Sequence, residues 1–200
     1  MGKVLTPFTG DDEADQLLTD DGLALLVGML LDQQVPMEWA FRGPLELQRR
    51  LGSGRLDAAT IADMDPEKFK AYFTDKPALH RYPGSMADRV HQLCTYLVEH
   101  HGGRAEDVWE GAADAGDALA RLEALPGYGA QKARIFLAIL GKRLGAAPAG
   151  WEAHAGDYGK PGHRSIADVD GPGAVEKVRA YKQDMKARAK AAKAEKAKAG

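Results

Sequence analysis

The sequence predicts an all-α fold, and three observations support this prediction. Apolar residues recur at i, i+3 and i+4 spacing, as in the stripe of Val90, Leu93, Cys94, Leu97 and Val98. No segment shows the alternation of apolar and polar residues that is typical of a half-exposed strand. Glycines end the periodic runs, as Gly102-Gly103 do after this stripe. With 44% hydrophobic and 28% charged residues, the 200-residue chain has the composition of a globular protein.

The first two predicted helices form the centre of the fold. Gly22 to Leu31 is apolar on all sides, which indicates a buried central helix. Pro36 can occupy the first turn of the next helix, because proline needs no amide hydrogen there. In that helix Phe41, Leu45 and Leu51 share an inner face.

The next two helices are predicted from their start signals. Asp65-Pro66 begins a short helix that runs through Phe73. Ser85 and Asp88 have the spacing of a capping box ahead of the apolar stripe that begins at Val90.

The pattern of the second half of the chain predicts two helical arms followed by an irregular segment. Residues 117–124 form the first arm, and residues 130–144 form the second. Glycine and proline occur throughout residues 145–173, which predicts an irregular loop of a length that usually serves a function or is disordered. A last helix begins near Ala174. We expect one helical domain over residues 1–185, followed by a basic Ala/Lys tail over residues 186–200.

Cysteine and histidine usage excludes several classes of site. A single cysteine, Cys94, excludes an internal disulfide framework and any cluster that needs several thiolates from this chain. Its place on an apolar stripe predicts a buried structural thiol. The six histidines have no metal-ligand spacing, so we expect no metal and no cofactor. The beginning of the chain has no signal-peptide pattern and no apolar run could span a bilayer, which predicts a cytoplasmic protein without membrane contact.

The charge is divided unevenly along the chain. Residues 186–200 contain six basic residues and one glutamate, which gives this segment a charge of +5. Because the formal net charge of the whole chain is −2, the rest of the chain carries −7. A body this acidic must confine any contact with nucleic acid to a local basic patch. The tail could add phosphate affinity that does not depend on sequence, or it could be a solvated helix end.

The sequence Leu125-Pro126-Gly127-Tyr128-Gly129-Ala130-Gln131-Lys132 is the most informative motif of the chain. Glycines at a helix start let an anion approach the free backbone N–H groups, because no Cβ is in the way. Lys132 and Arg134 add cations at the same end. We therefore expect Gly127, Tyr128, Gly129, Gln131, Lys132 and Arg134 to bind a DNA phosphate; the alternative is a glycine turn that only connects two helices.

A second motif, Asp32-Gln33-Gln34, places polar side chains directly after the most apolar helix. Such groups could cap the junction between two helices. They could also form the polar wall of a base pocket, because glutamine both donates and accepts hydrogen bonds.

Together these motifs resemble the helix-hairpin-helix superfamily of base-excision DNA glycosylases, which includes endonuclease III and 3-methyladenine glycosylase. The hairpin string is similar to the family's DNA-gripping hairpin, and residues 27–34 are similar to its helix that ends in S-Q-Q or S-A-Q. Residues 82–103 resemble the helix before the hairpin. The resemblance covers residues 23–144 and implies a two-lobed all-α fold with a DNA cleft between the lobes, Gln34 near the extruded base, and no membrane partner. We expect a monomer.

The chain departs from the family pattern in three places. Bifunctional members carry a Schiff-base lysine where this chain has Gln131, and Lys132 lies about 100° further round the helix. Members with an iron–sulfur cluster have a cysteine-rich C-terminus, which is absent here, so we expect no cluster. The family's catalytic aspartate falls at residues 149–152, where this chain has none.

The catalytic carboxylate is therefore expected in the irregular segment. Asp168, which precedes the last helix, is the first choice, and its alternative role is that of an ordinary loop carboxylate or a helix cap. Asp170 is the second choice; Glu152 and Asp157 are weaker candidates. A carboxylate can stabilise the positive charge that builds on the sugar as an N-glycosidic bond breaks. Trp151, in the same segment, is a candidate for contact with the lesion.

The leading hypothesis is thus a monofunctional-type DNA N-glycosylase that removes a damaged or mispaired base. The first alternative is a catalytically silent helix-hairpin-helix protein that recognises DNA structure. The second is a helical protein-interaction module in which the glycine hairpin is only a turn.

Overall fold

A computed structural model of the chain describes the backbone of residues 5–198 and the side chains of residues 5–191. This part of the chain contains helices and no strand, so the all-α prediction is confirmed. The α-helices are α1 (Asp12–Asp20), α2 (Gly22–Leu31), α3 (Met37–Leu51), α4 (Ala58–Asp63), α5 (Pro66–Thr74), α6 (Pro83–His101), α7 (Asp107–Glu110), α8 (Ala115–Ala124), α9 (Ala130–Ile139), α10 (Trp151–Ala155) and α11 (Ala174–Lys198).

Helix α2 is the central helix of the fold. Every residue of α2 after Gly22 is buried, as its uniform hydrophobicity predicts. Its N-terminus is capped by Asp21, whose carboxylate accepts a hydrogen bond from the backbone N–H of Ala24 at 2.9 Å. Helix α3 packs along it and buries Phe41 and Leu45, while Leu51 is only partly buried.

Helices α4, α5 and α6 pack together beside α2 and α3. Helix α5 is capped by Asp65 as predicted, because this carboxylate accepts a hydrogen bond from the backbone N–H of Lys68. The predicted capping box at Ser85 is wrong. Helix α6 already begins at Pro83, and the Ser85 hydroxyl donates to the carbonyl of Tyr82 instead. Cys94 is fully buried, and burial raises the pKa of its thiol.

Helices α8 and α9 form the predicted hairpin. Helix α8 begins two residues earlier than expected, because Asp114 caps it. The second arm is not α-helical to its end: residues Leu140–Leu144 form a π-helical turn that stops at Gly145, which has a left-handed conformation.

The segment of residues 145–173 is less irregular than its glycine content predicts. It contains α10 and two 3₁₀ turns, Gly156–Tyr158 and Ile166–Asp168. Helix α11 begins at Ala174 as expected and continues through the predicted tail as far as Lys198; the last two residues lie outside the described part. None of the described helices is both long and apolar enough to cross a membrane.

A candidate nucleic-acid interface

A cavity of about 690 Å³ lies where the end of α2 meets the start of α9. Residues between Ala155 and Arg164, and residues 181–185 of α11, complete its wall. Its lining residues are Met29, Asp32, Gln131, Lys132, Arg134, Ile135, Ala155, Asp157, Tyr158, Arg164, Tyr181, Lys182 and Met185. Four of these side chains are basic and two are acidic, so the cavity is locally cationic in a chain whose formal net charge is −2. This is the local basic patch that the charge distribution requires of a nucleic-acid binder.

The N-terminus of α9 is open at the edge of this cavity. Its cap is Gly129, no side chain accepts from its first turn, and that turn contains no acidic residue. The backbone N–H groups of residues 130–132 have no hydrogen-bond partner within the described part of the chain. Gly129 has φ −99°, a value that any residue adopts, and open space where a Cβ would stand. Neither conformation nor packing therefore requires a glycine here, whereas close approach of an anion would.

Gly127 and Tyr128, in contrast, fix the hairpin to α2. Gly127 has φ +80°, and a Cβ there would lie 2.4 Å from Cδ1 of Leu30. The Tyr128 side chain is buried and its hydroxyl donates to the carbonyl of Leu26 at 2.7 Å. Burial raises the pKa of this phenol well above its usual value. Tyr128 is thus an anchor of the hairpin, and its side chain does not reach the surface where we expected it to contact DNA.

Lys132 also differs from the expectation, because its side chain turns inward. Its ammonium group donates to the carbonyl of Met29, to that of Leu30 at 3.2 Å and to that of Asp32 at 3.3 Å. A cation at the C-terminus of α2 is favourable because it complements the helix dipole. Desolvation lowers the pKa of Lys132 to about 8, partly opposed by the negative charge of Asp32. Lys132 therefore lines the cavity wall and caps α2.

Two other predicted contacts of the hairpin lie at the cavity mouth. Gln131 is exposed, and its Nε2 donates to the hydroxyl of Tyr158 at 2.9 Å. Arg134 is exposed and forms no ion pair with any described residue. Arg134 is thus free to meet a phosphate that approaches the start of α9.

The three residues of the Asp32-Gln33-Gln34 motif have different environments. Asp32 ends α2 and lines the cavity. Gln33 is committed to structure, since its Nε2 donates to the carbonyl of Leu30 and its Oε1 accepts from Arg89. Gln34 is exposed and has φ +56°, a left-handed conformation that is uncommon for a residue other than glycine. Of the three residues of this motif, the structure thus brings Asp32 into the cavity and leaves Gln34 at the surface, in contact with Tyr82.

Asp168 is not in the cavity. Its carboxylate forms an ion pair with Lys142 at 2.6 Å and accepts from the backbone N–H groups of Arg164 and Ser165. The side chain is only 6% exposed. With these partners Asp168 completes the capping box of the 3₁₀ turn Ile166–Asp168, so its role is to join the segment before α11 to the π-helical turn.

Among the other predicted carboxylates, only Asp157 lines the cavity. The Lys160 ammonium, which donates to it at 2.5 Å, holds the pKa of Asp157 below its usual value, so the group is ionised at neutral pH. Asp170 is exposed and lines a separate pocket together with Asp168, and Glu152 lines another pocket, next to Gly156 and Lys160. No group of three His, Cys, Asp or Glu residues in the described part of the chain could hold a metal ion.

Trp151 is partly buried, packs against the core and does not line the cavity. A Cβ on Gly141 would lie 2.1 Å from Cε2 of the Trp151 ring, so the indole lies directly on the π-helical turn. The expected contact between Trp151 and a lesion therefore lies outside this cavity.

Two cavity residues that sequence reasoning missed are Tyr158 and Arg164. Arg164 donates to the Tyr181 hydroxyl at 3.0 Å, and its guanidinium lies 5.6 Å from the centre of that ring. This contact joins the irregular segment to α11. An arginine and a tyrosine inside a glycine-rich stretch are the signal that could have identified them, because loops of this kind often carry function.

Comparisons of this chain with models of protein families, with curated proteins and with solved structures give no match. The resemblance to helix-hairpin-helix glycosylases therefore depends on the motifs of the chain alone, and the candidate site depends on its geometry.

Proposed function

We propose that this chain binds DNA through the open N-terminus of α9 and acts as a base-excision N-glycosylase of the helix-hairpin-helix type. The observation that carries the proposal is the uncapped start of α9 at Gly129, next to a cavity that is large enough for a nucleobase and locally cationic. Helix N-termini of this kind hold phosphate groups through their backbone N–H donors. The two-lobed arrangement that the resemblance implies would place the cavity in the DNA cleft.

Binding is tested with Gly129→Asp. The new carboxylate accepts from the first turn of α9 and repels a phosphate, so we expect duplex affinity to fall by about tenfold or more, on the scale of a lost charge-assisted hydrogen bond. Fluorescence anisotropy at fixed salt measures the change. Gly54→Asp is the matched control, because Gly54 also has open space for a side chain and lies in the loop between α3 and α4. Equal affinities of the two variants would contradict the phosphate contact.

In this proposal Asp157 is the carboxylate that stabilises the sugar cation. Asp157→Asn keeps the size of the side chain and removes its charge, so the single-turnover rate should fall by at least ~10²-fold while DNA affinity changes little. The substrates are oligonucleotides that carry a panel of damaged or mispaired bases, treated with alkali to reveal abasic sites. Asp168→Asn is the comparison: it leaves Lys142 without its partner, and we expect it to lower the free energy of unfolding. A normal rate for Asp157→Asn would exclude this residue.

One observation favours the alternative of a catalytically silent DNA-binding protein. Asp168, the carboxylate that the sequence favours, is fully engaged in structure, and Asp157 already has Lys160 as a partner. Binding without base release on any substrate of the panel would support this alternative.

A further inference from the structure

Trp39 and Tyr82 are unusual in this fold because both are large aromatic side chains that are exposed, Trp39 on α3 and Tyr82 at the N-cap of α6. Trp39 is 42% exposed and Tyr82 is 40% exposed. The buried ring of His80 lies between them, with its centre 6.4 Å from that of Trp39 and 6.2 Å from that of Tyr82. We call these three side chains the aromatic row.

Hydrogen bonds hold two of the three side chains of the aromatic row, His80 and Tyr82. Nδ1 of His80 accepts from the backbone N–H of Tyr82 at 3.0 Å, so the ring proton is on Nε2, which donates to the carbonyl of Leu31 at 3.0 Å. The Tyr82 hydroxyl donates to Oε1 of Gln34 at 3.2 Å. The Tyr82 ring is therefore preorganised, and a base that stacks on it need not order it first; Trp39 is placed by its position on α3 and by its contact with His80.

The aromatic row is continuous with the cavity through the end of α2. His80 holds the carbonyl of Leu31, and Lys132 holds those of Met29, Leu30 and Asp32. The end of α2 is thus in contact with both the cavity wall and the aromatic row.

The charges beside the aromatic row also fit a polyanion with planar bases. The Arg81 guanidinium is exposed and lies 5.5 Å from the centre of the Tyr82 ring. Glu38, the acid next to Trp39 in the sequence, is neutralised by Arg179 of α11 at 2.6 Å. Aromatic faces with an arginine are the usual elements of single-strand recognition, because every base has a π-face.

We propose that Trp39 and Tyr82 form a stacking site for unpaired bases, so that the chain prefers DNA with a single-stranded region to a continuous duplex. This inference rests on the proposed function, because it places the bases of the strand whose phosphate α9 holds. The stacking site binds a nucleobase and the N-terminus of α9 binds a phosphate, so the two contacts can be tested separately.

The test compares two single strands of equal length and equal phosphate number, oligothymidylate and an oligomer of abasic tetrahydrofuran residues. We expect the wild-type chain to bind the base-bearing strand about tenfold more tightly, and Trp39→Ala or Tyr82→Ala to remove most of this ratio. Trp39→Phe should keep most of it, since an aromatic face remains. Val98→Ala is the matched control, because Val98 is also exposed and lies on α6 away from the row. Quenching of tryptophan fluorescence reports the contact directly, since Trp39 is the most exposed of the three tryptophans.

The outcomes separate the inference from the function on which it rests. Gly129→Asp should weaken both strands by the same factor and leave their ratio unchanged. A wild-type ratio near one, or a ratio that both alanine variants keep, overturns the stacking site while the phosphate contact stands. No binding of either strand by the wild-type chain overturns both. A wild-type dimer that Trp39→Ala converts to a monomer, with the strand ratio unchanged, assigns the row to self-association and also overturns the inference.

Discussion

The C-terminus of α2 and the N-terminus of α9 meet at the cavity, and they differ in whether side chains cap their backbone groups. The C-terminus of α2 is fully engaged: Lys132, His80 and Gln33 donate to the carbonyls of its last turn and of Asp32. The N-terminus of α9 has a glycine cap and no side-chain acceptor. Helices α1, α2, α4, α5 and α8 each have an aspartate at this position.

This difference in capping indicates that the C-terminus of α2 has a structural role and the N-terminus of α9 a functional one. Unsatisfied groups at a helix end are costly when they are buried, so the carbonyls beneath the hairpin must be capped by the protein. The N–H groups of α9 are at the surface, where water can satisfy them until an anion replaces it. The closed end of α2 therefore contributes stability, and the open end of α9 is available to a ligand.

The largest expected effect on stability comes from removing the Lys132 ammonium, which caps the C-terminus of α2. Lys132→Met keeps the apolar stem and removes the donor to three carbonyls, so we expect the free energy of unfolding to fall by about 1–3 kcal/mol. Urea denaturation followed by circular dichroism measures the change. Arg134→Met is the matched control, because Arg134 is on the same helix and exposed, and it should have almost no effect. If both variants are equally stable, Lys132 does not cap α2.

Substituting the two glycines of the hairpin should change stability less than Lys132→Met does, and the two substitutions should differ clearly from each other. Gly127→Ala places a Cβ at φ +80° and against Leu30, so we expect a loss of about 1–2 kcal/mol of stability. Gly129→Ala adds a Cβ into open space at an ordinary φ, so stability should change by less than ~0.5 kcal/mol. Denaturant midpoints of the two variants decide this. A larger loss for Gly129→Ala would mean that packing, and not ligand access, explains the glycine.

The sequence predicts the regular part of this fold well, because burial and capping are local signals. Helix α2 has its predicted bounds, and α5 and α11 begin where their start signals lie. Helices α1, α4, α7 and α10 were missed. Helices α4, α7 and α10 have four to six residues, and helices this short are stabilised by tertiary packing more than by their own sequence. Helix α1 is as long as α5 and is capped by Asp11, so its start signal is present in the sequence.

The candidate site could be predicted only in part, because its geometry depends on contacts between distant segments. The glycine hairpin was identified from its sequence. That Lys132 turns toward α2 depends on how the hairpin packs, and the residues involved are about 100 positions apart. Asp168 has the expected pre-helix setting, but Lys142, 26 residues earlier, withdraws it from the cavity. Trp39 lies off the inner face of α3, so the amphipathic pattern could have marked it as exposed.

The smallest effect concerns His80, the neutral member of the closed end. Desolvation lowers its pKa, and the positive charge of Lys132 adds to this shift. As the pH falls through about 6.5, His80 is protonated in the unfolded chain but stays neutral in the folded chain, because its pKa is lower there. The free energy of unfolding should therefore decrease, by at most about 1.4 kcal/mol per pH unit. His80→Gln removes the titrating group, so the stability difference between wild type and this variant should shrink between pH 7.5 and pH 5.5. The measurement is urea denaturation at both pH values. A difference that is constant or grows on acidification would show that His80 is not held neutral at the end of α2.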